Sequence, residues 1–206
     1  MANKSWQSLP PLKAKPTVSI VMPIRNEADF IERSLAAIFN QTYPQELIEI
    51  IISDGMSTDT TRDIIKALNK PNIRILDNPA QIAPTGLNTA IRAASGDIII
   101  RIDGHAIVEP QYVEQCVRWL QQRGVACTGG AVESRGHGLV GEAIALAMSS
   151  PYGVGSSGFR TLGSDAVPQL TDTVPFGAYR REVFDTVGFF NEKMIRHQDY
   201  EFCYRL

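Results

Sequence analysis

Hydrophobic residues occur along the chain in short uninterrupted runs that alternate with amphipathic stretches. The runs are rich in β-branched residues, which predicts buried strands. The predicted strands are residues 17–24, 47–53, 73–76, 97–102 and 125–128. Between them apolar positions recur at helical spacing, and the predicted helices follow Asn26, follow Thr58 or Asp59, and span residues 86–94 and 111–123. This alternation predicts an α/β fold, with a mainly parallel central sheet and helices on both faces.

The second half of the chain has a weaker pattern. Residues 149–169 are rich in glycine and serine and show little periodicity, which predicts a mobile loop. Residues 173–180 are predicted to be extended, residues 182–187 to form a short helix, and residues 199–206 to begin another. The most apolar helical stretch, residues 139–148, is too short to span a bilayer.

Polar and acidic residues directly follow three of the predicted strands. They are Arg25-Asn26-Glu27, Asp54-Gly55 and Asp103-Gly104-His105. In an open parallel sheet, ligands bind outside the carboxyl ends of the strands. We therefore expect these side chains to converge on one edge of the sheet.

Asp103-Gly104-His105 is the most informative of these segments. Residues i and i+2 at a turn can both point at one ion, and hard divalent cations prefer carboxylate oxygen. Histidine in the third position makes Mn²⁺ more acceptable than Mg²⁺, because imidazole suits transition metals better. The alternative is that Asp103 caps a turn and His105 is solvated, with no metal involved.

Asp54 also allows two interpretations. Its carboxylate can accept hydrogen bonds from a nucleobase N–H or a ribose hydroxyl, or it can belong to a helix N-cap cluster with Thr58 and Asp59. For Thr58 and Asp59 themselves the capping role is favoured.

Two further groups of residues are candidates for binding or catalysis. Pro23, Arg25 and Glu27 lie at the end of the first strand and just beyond it, where Glu27 can bind a ribose or can favour the helix N-terminus. Asp199 at the start of a helix can serve as a general base, although acidic residues are common at helix starts. The neighbouring His197 is more typical of a packing or surface histidine than of a ligand.

Composition and charge narrow the class of protein. The 206 residues are 44% hydrophobic and 20% charged, which is typical of a soluble α/β domain, here predicted as one domain over residues 17–206. The 20 Lys and Arg against 22 Asp and Glu give a formal charge of −2 with no basic run. Nucleic-acid binding is therefore not expected, and there is no polybasic patch for anionic lipid.

The N-terminal segment and the cysteines bear on localisation. Residues 1–16 are polar and predicted to be flexible, and they resemble neither a signal peptide nor a membrane anchor. Cys116, Cys127 and Cys203 are scattered and form no CxxC pair, which predicts neither a disulfide framework nor a structural zinc site. Reduced thiols in a cytosolic compartment are the simplest interpretation.

Taken together, four segments resemble the family 2 inverting glycosyltransferases, which have the GT-A fold. They are VSIVMPIRNEADFIERSLAAIFNQTYP, EIIISDGMSTDTTRDII, GLNTAIRAASGDIIIRIDGHAIVEPQYV and VPFGAYRREVFDTVGFFNEKMIRHQDYEFCYRL. The resemblance runs from about Thr17 to Leu206, and the order of the four segments makes it specific. Within the family, the chain is most similar to bacterial enzymes of exopolysaccharide assembly, such as succinoglycan glucosyltransferases.

The resemblance implies a role for each candidate residue. The residues that would line the nucleoside pocket, usually for uridine, are Pro23, Arg25, Glu27 and Asp54. Asp103-Gly104-His105 occupies the position of the DxD motif, in which Asp103 and His105 would hold Mn²⁺ or Mg²⁺ against the donor diphosphate. Asp199 occupies the position of the catalytic base.

Three features depart from the family pattern. His105 replaces the usual third Asp of DxD, and Gln198 replaces the Glu that usually precedes the base. The Q/RxxRW segment of many processive members and C-terminal membrane helices are absent from the sequence. The domain is therefore expected to be truncated at its C-terminal end.

The function that the resemblance implies is transfer of a sugar, with inversion, from a nucleotide-sugar donor to a glycan or lipid-linked acceptor in polysaccharide biosynthesis. The donor would be a UDP-sugar, and the chain would work in the cytoplasm or peripherally at the inner face of the membrane. Two alternatives are a non-catalytic sugar-nucleotide-binding module and a sugar nucleotidyltransferase. Against the latter, no glycine-rich, Lys- or Arg-bearing phosphate loop follows the first strand.

Overall fold

A computed structural model describes residues 6–122, 124–136, 138–154, 158–160 and 169–206. Over these residues the chain forms a sheet of six strands with the order β3-β2-β1-β4-β6-β5. The strands are β1 (Val18–Ile24), β2 (Ile48–Asp54), β3 (Ile73–Asp77), β4 (Ile98–Arg101), β5 (Cys127–Thr128) and β6 (Ala178–Arg180).

The sheet is mainly parallel, as the alternation of strands and helices predicts. β1 pairs in parallel with β2 and with β4, and β2 pairs in parallel with β3. β6 departs from this direction, because it runs antiparallel to both β4 and β5. The later part of the chain therefore joins the sheet beside β4 but from the opposite direction.

Most of the helices lie close to their predicted positions. They are α1 (Ile31–Phe39), α2 (Thr61–Ala67), α3 (Ala83–Ala93), α4 (Tyr112–Leu120), α5 (Gly138–Met148), α6 (Pro151–Val154), α7 (Glu182–Val187) and α8 (Gln198–Arg205). α6 lies within the predicted loop at residues 149–169, α1 begins five residues after Asn26, and α3 begins at Ala83 rather than at Gly86. Pro84 lies in its first turn, where the missing N–H of proline costs no hydrogen bond.

Hydrophobic cores cover both faces of the sheet, which confirms the predicted architecture. On one face, Ile20 and Met22 of β1 belong to the same buried cluster as Leu35 of α1 and Val113 of α4. On the other face, Val21, Ile51 and Ile99 cluster with Leu87 of α3 and Phe202 of α8. Alternate residues of β1 therefore serve opposite cores, as the pleat of a strand requires.

The start of α1 corrects one sequence expectation. Asn26 is not its cap, since α1 begins five residues later at Ile31 and has no side-chain cap hydrogen bond. Asn26 instead has a left-handed backbone (φ 54°), and its Oδ1 accepts a hydrogen bond from the Thr58 N–H at 2.9 Å. The residue therefore connects the loops that follow β1 and β2.

The start of α2 also differs from the prediction. The helix begins at Thr61, and its N-cap residue, Thr60, makes no side-chain cap hydrogen bond. Asp59 accepts from the Thr61 N–H at 3.0 Å and from the Ala28 N–H at 3.1 Å. Its carboxylate therefore supports both the first turn of α2 and the loop after β1.

Two predicted flexible segments are described in part. Residues 155–157 and 161–168 of the predicted loop at 149–169 lie outside the described residues, whereas Pro151–Val154 is helical and Gly158–Arg160 forms a 3-10 turn. Of the N-terminal segment, residues 6–16 lie against the domain: Lys13 pairs with Asp97 at 3.1 Å. Among the described helices, none is long and apolar enough to cross a bilayer.

Removing the side chain of Ile20 should destabilise the domain strongly. Ile20 is fully buried and lies between Ile50 and Ile100 of the neighbouring strands. We expect Ile20→Ala to lower the free energy of unfolding in urea by about 2–5 kcal/mol. The matched control is Ile107→Ala, at a position 67% exposed, which should change it by about 0.5 kcal/mol or less. Equal losses of unfolding free energy in the two variants would contradict the buried position of Ile20.

Candidate active site

A cleft of about 240 Å³ opens at the carboxyl edge of the parallel strands. Loops that follow β1, β2, β3 and β4 contribute to it. Its lining residues are Pro23, Ile24, Arg25, Glu27, Gly55, Asn78, Gln81, Ile82, Ala83, Arg101, Asp103 and His105. The structure therefore brings together five residues predicted for the site, namely Pro23, Arg25, Glu27, Asp103 and His105.

The loops after β1 and β4 approach each other closely, and Gly104 makes this approach sterically feasible. A Cβ atom at position 104 would lie 2.9 Å from Cγ of Glu27 and 3.0 Å from Cγ2 of Ile24. Contacts this short are repulsive, so a larger residue would push the two loops apart. Glycine between Asp103 and His105 therefore allows this loop to approach Glu27, to which His105 is paired.

Arg101, the last residue of β4, connects two of the predicted functional carboxylates. Its Nε and Nη2 donate to Oδ1 and Oδ2 of Asp103 at 2.8 and 3.1 Å. Its Nη1 donates to Oδ1 of Asp199, at the start of α8. Asp199 thereby lies beside the cleft although it is far from Asp103 in sequence.

Burial and charge act in opposite directions on this cluster. Burial, together with the nearby charge of Asp103, raises the pKa of Asp199, and the Arg101 guanidinium partly offsets the effect. Burial disfavours the charged form of Arg101, but the charges of Asp103 and Asp199 outweigh it and raise the pKa of Arg101. Arg101 therefore stays cationic and Asp199 is a more basic carboxylate than an exposed aspartate.

His105 lies in the cleft and pairs with Glu27. The distance from His105 Nδ1 to Glu27 Oε1 is 2.9 Å, and the histidine side chain is 56% exposed. The hydrogen bond that His105 donates to Glu27 raises the pKa of His105, and burial opposes this only in part. The pair favours the protonated imidazole as long as no other cation competes for the site.

Asp54 is placed differently from the other predicted residues. Its side chain is fully buried, and its oxygens accept hydrogen bonds from the N–H and the hydroxyl of Ser57. Arg62 approaches the same carboxylate at 3.5 Å. Asp54 thus holds the turn after β2 in place, while the adjacent Gly55 lines the cleft.

The residues beside Asp199 differ in their surroundings. Gln198 is buried, whereas His197 is exposed and has a left-handed backbone (φ 60°). His197 is therefore a surface histidine, one of the two structural roles expected for it from the sequence.

The cleft offers donors suited to a divalent cation, although few of them. Asp103 supplies a carboxylate and His105 an imidazole, a combination that suits Mn²⁺. Among the described residues, no group of three or more His, Cys, Asp or Glu could enclose an ion. Mg²⁺ and similar ions are commonly held by one or two carboxylates with substrate phosphates completing the shell. The residues present fit that arrangement.

Some lining residues did not emerge from the sequence interpretation. Asn78, Gln81 and Ile82 come from the loop between β3 and α3, and Ala83 is the first residue of α3. Gln81 has a left-handed backbone (φ 61°), and Asn78 donates to the carbonyl of Ile82 at 2.9 Å. The rule that ligands bind beyond strand ends applies to β3 as well, so it could have identified this loop.

Comparisons with known sequences agree with this arrangement. The family described as "Glycosyl transferase family 2" matches residues 19–188. A dolichyl N-acetyl-α-D-glucosaminyl phosphate 3-β-D-2,3-diacetamido-2,3-dideoxy-β-D-glucuronosyltransferase of Methanococcus voltae is 31% identical, over 90% of this chain and 60% of its own length. The succinoglycan biosynthesis protein ExoA of Rhizobium meliloti is 32% identical, over 91% of this chain and 57% of its own. The chain thus spans a little over half the length of these relatives.

Solved structures share the fold. A mannosyltransferase from Pyrobaculum calidifontis, in complex with GDP-Man and Mn²⁺, superposes with a TM-score of 0.69 at 22% identity, over 96% of this chain and 55% of its own. S. aureus TarS in complex with UDP superposes with a TM-score of 0.65 at 17% identity, over 91% of this chain and 54% of its own. Both are GT-A glycosyltransferases, so the predicted fold is confirmed.

The pairing of Glu27 with His105 can be tested by titration. We expect the pKa of His105, measured by NMR and assigned with His105→Gln, to lie above 6.5 and to fall in Glu27→Gln. Because the folded-state pKa is raised, the pair stabilises the fold fully below pH 6.5 and loses this effect as pH rises through the raised value. Glu32→Gln, at an exposed glutamate of α1, should leave the titration of His105 unchanged. An unaltered pKa in Glu27→Gln would show that the contact does not persist in solution.

Proposed function

Because the chain belongs to glycosyl transferase family 2, we propose that it transfers a sugar, with inversion, from a nucleoside diphosphate donor to a glycan or lipid-linked acceptor. One observation carries this proposal: Asp103 in the cleft and Asp199 beside it meet at a single arginine, Arg101. A carboxylate suited to a metal and a second, more basic carboxylate are thus held side by side. This is what an in-line displacement needs on the two sides of the anomeric carbon.

The donor nucleoside is proposed to bind between the loops after β1 and β2. Pro23, Arg25 and Glu27 line the cleft there. Asp54 is assigned to the same pocket, where its contacts with Ser57 shape the turn. UDP is the proposed nucleotide, and the structural relatives solved with UDP and with GDP-Man support a nucleoside diphosphate.

The diphosphate is proposed to lie near Asp103 and His105, which would hold Mn²⁺ or Mg²⁺. A bound divalent ion supplies Lewis-acid neutralisation of the negative charge that grows on the leaving diphosphate. Arg25, at the mouth of the cleft, adds a positive charge from the chain itself. These contributions favour departure of the nucleoside diphosphate.

Asp199 is proposed to be the general base. Its raised pKa, caused first by burial, makes it a better proton acceptor than an exposed aspartate. It would take the proton of the acceptor hydroxyl while that oxygen attacks the anomeric carbon, and the configuration would invert because the leaving group departs from the opposite side.

The acceptor is proposed to be a growing glycan or a lipid-linked sugar, used at the cytoplasmic face of the membrane. The names of the M. voltae and R. meliloti relatives, which refer to a dolichyl phosphate substrate and to succinoglycan biosynthesis, support this class.

Replacing Asp103 should weaken metal-dependent donor binding. In calorimetric titrations of UDP with Mn²⁺, we expect Asp103→Ala to raise the Kd by about 10–100-fold, because a metal ligand and its charge are lost. Asp185→Ala, at an exposed carboxylate of α7, should bind UDP as the parent chain does. If Asp103→Ala kept the parent Kd with Mn²⁺, the metal assignment would be wrong.

Replacing Asp199 should separate chemistry from donor binding. We expect Asp199→Asn to lower UDP release from UDP-sugars, with extracted lipid-linked acceptors, by about 10²–10⁴-fold because the base is lost. Its Kd for UDP should remain that of the parent chain. Glu201→Gln removes a carboxylate from the same helix and should retain turnover. Full turnover in Asp199→Asn would exclude it as the base, and donor binding without turnover in the parent chain would indicate a binding module.

A further inference from the structure

Arg101 connects the two carboxylates that are assigned to the donor and acceptor sides of the reaction. Three of its nitrogens are engaged: Nε and Nη2 with Asp103, and Nη1 with Asp199. The arginine side chain is only 8% exposed, while the two carboxylates are 20% and 23% exposed. A buried cation therefore joins two acids that remain accessible from the cleft.

The guanidinium is well suited to fix the geometry of both acids. The backbone of Arg101 is held at the end of β4, where its N–H donates to the Gly177 carbonyl at 3.0 Å. The donors of a guanidinium lie in one plane in a rigid fork. Fixing Nε and Nη2 on Asp103 therefore also fixes the direction in which Nη1 meets Asp199.

The attachment of α8 to the domain does not depend on Arg101 alone. Phe202 of α8 is fully buried in the core. Arg205 of the same helix donates to the carbonyls of Val187 and Phe189 and pairs with Glu201 at 2.7 Å. Arg101 therefore acts on the first turn of α8, where Asp199 lies, rather than on the helix as a whole.

We propose that Arg101 is a positioning residue that fixes Asp103 and Asp199 relative to each other and offsets one of their two negative charges when no donor is bound. The inference rests on the proposed function, since it takes these two acids as the working carboxylates. It adds that the alignment of the base depends on the same side chain that orients the metal-binding carboxylate.

This arrangement has a consequence for metal binding without nucleotide. Because Arg101 offsets one of the two negative charges of Asp103 and Asp199, their attraction for a divalent cation is reduced. Without the guanidinium, two neighbouring uncompensated carboxylates remain, and these attract such an ion strongly. Loss of Arg101 should therefore improve binding of Mn²⁺ alone while impairing catalysis, a combination that simple loosening of the fold does not produce.

The first measurement is Mn²⁺ binding to the nucleotide-free chain by electron paramagnetic resonance. We expect Arg101→Ala to bind Mn²⁺ at least about tenfold more tightly than the parent chain, because a neighbouring positive charge is removed. The gain should disappear in Arg101→Ala combined with Asp199→Asn. An unchanged or weaker affinity in a folded Arg101→Ala variant would overturn the proposal.

The second measurement is UDP release under the conditions used for Asp199→Asn. We expect Arg101→Ala to lower kcat by about 100-fold, the size typical of a misplaced catalytic group, with a smaller effect on the donor KM. Millimolar guanidinium should restore part of the lost kcat of Arg101→Ala. Arg101→Lys keeps the positive charge but lacks the forked donors, so its kcat should lie between those of Arg101→Ala and the parent chain. A kcat for Arg101→Ala equal to that of the parent chain would also overturn the proposal.

Arg205→Ala is the matched control, because it removes the other arginine that anchors α8 without touching Asp103 or Asp199. Arg205→Ala should not increase the affinity for Mn²⁺, and added guanidinium should not change its kcat. The same response in Arg205→Ala as in Arg101→Ala would show that Arg101 only attaches α8 to the domain.

Thermal melting checks that both variants fold. Absence of UDP binding and turnover in the parent chain would count against the proposed function, whereas the Mn²⁺ measurement tests Arg101 in either case.

Discussion

In the sheet, β1 lies between β2 and β4 and runs parallel to both. The carboxyl ends of these strands therefore meet at the same edge, and the loops that follow them share one cleft. Pro23 and Arg25 reach it from β1, Gly55 from β2 and Asp103 from β4. A change in the register or direction of β1 would separate the loops. The register is fixed by burial of the apolar side chains of these strands, and the site therefore depends on that burial.

The charges around the cleft are balanced within the chain. Glu27 lies against His105, and Asp103 lies against Arg101. Two unpaired carboxylates in this space would repel the diphosphate of an incoming donor, whereas the observed pairs present basic groups beside each acid. The acids proposed as metal ligand and as base are thus present without making the cleft strongly negative.

The strands and the cleft residues that directly follow them could be predicted because both depend on local sequence. Apolar β-branched runs identify β1, β2 and β4, and the strand-end rule then identifies Glu27 and Asp103. Arg101 could not be predicted in the same way. Its position in a strand sequence says only that it interrupts an apolar run, and its role comes from Asp199, 98 residues later.

Other differences between expectation and structure have the same origin. Asp59 supports the start of α2, but its carboxylate also accepts from the Ala28 N–H in the loop after β1. Asn26 resembles a helix cap by position, but its side chain bonds to Thr58 across two loops. Hydrogen bonds between separate loops leave no periodic signal, so sequence patterns assign such residues to the nearest helix instead.

β6 marks the point after which the chain leaves the parallel part of the sheet. Among the described residues, those that line the cleft lie between 23 and 105, whereas α8, which carries Asp199, belongs to the segment that follows β6. Under the proposed function, exchange of the later segment would replace the base and its surroundings and retain the loops proposed for donor binding. Such a chimera, joined just before β6, would keep the link between the two acids only where Arg101 still meets an acid at the start of the incoming helix.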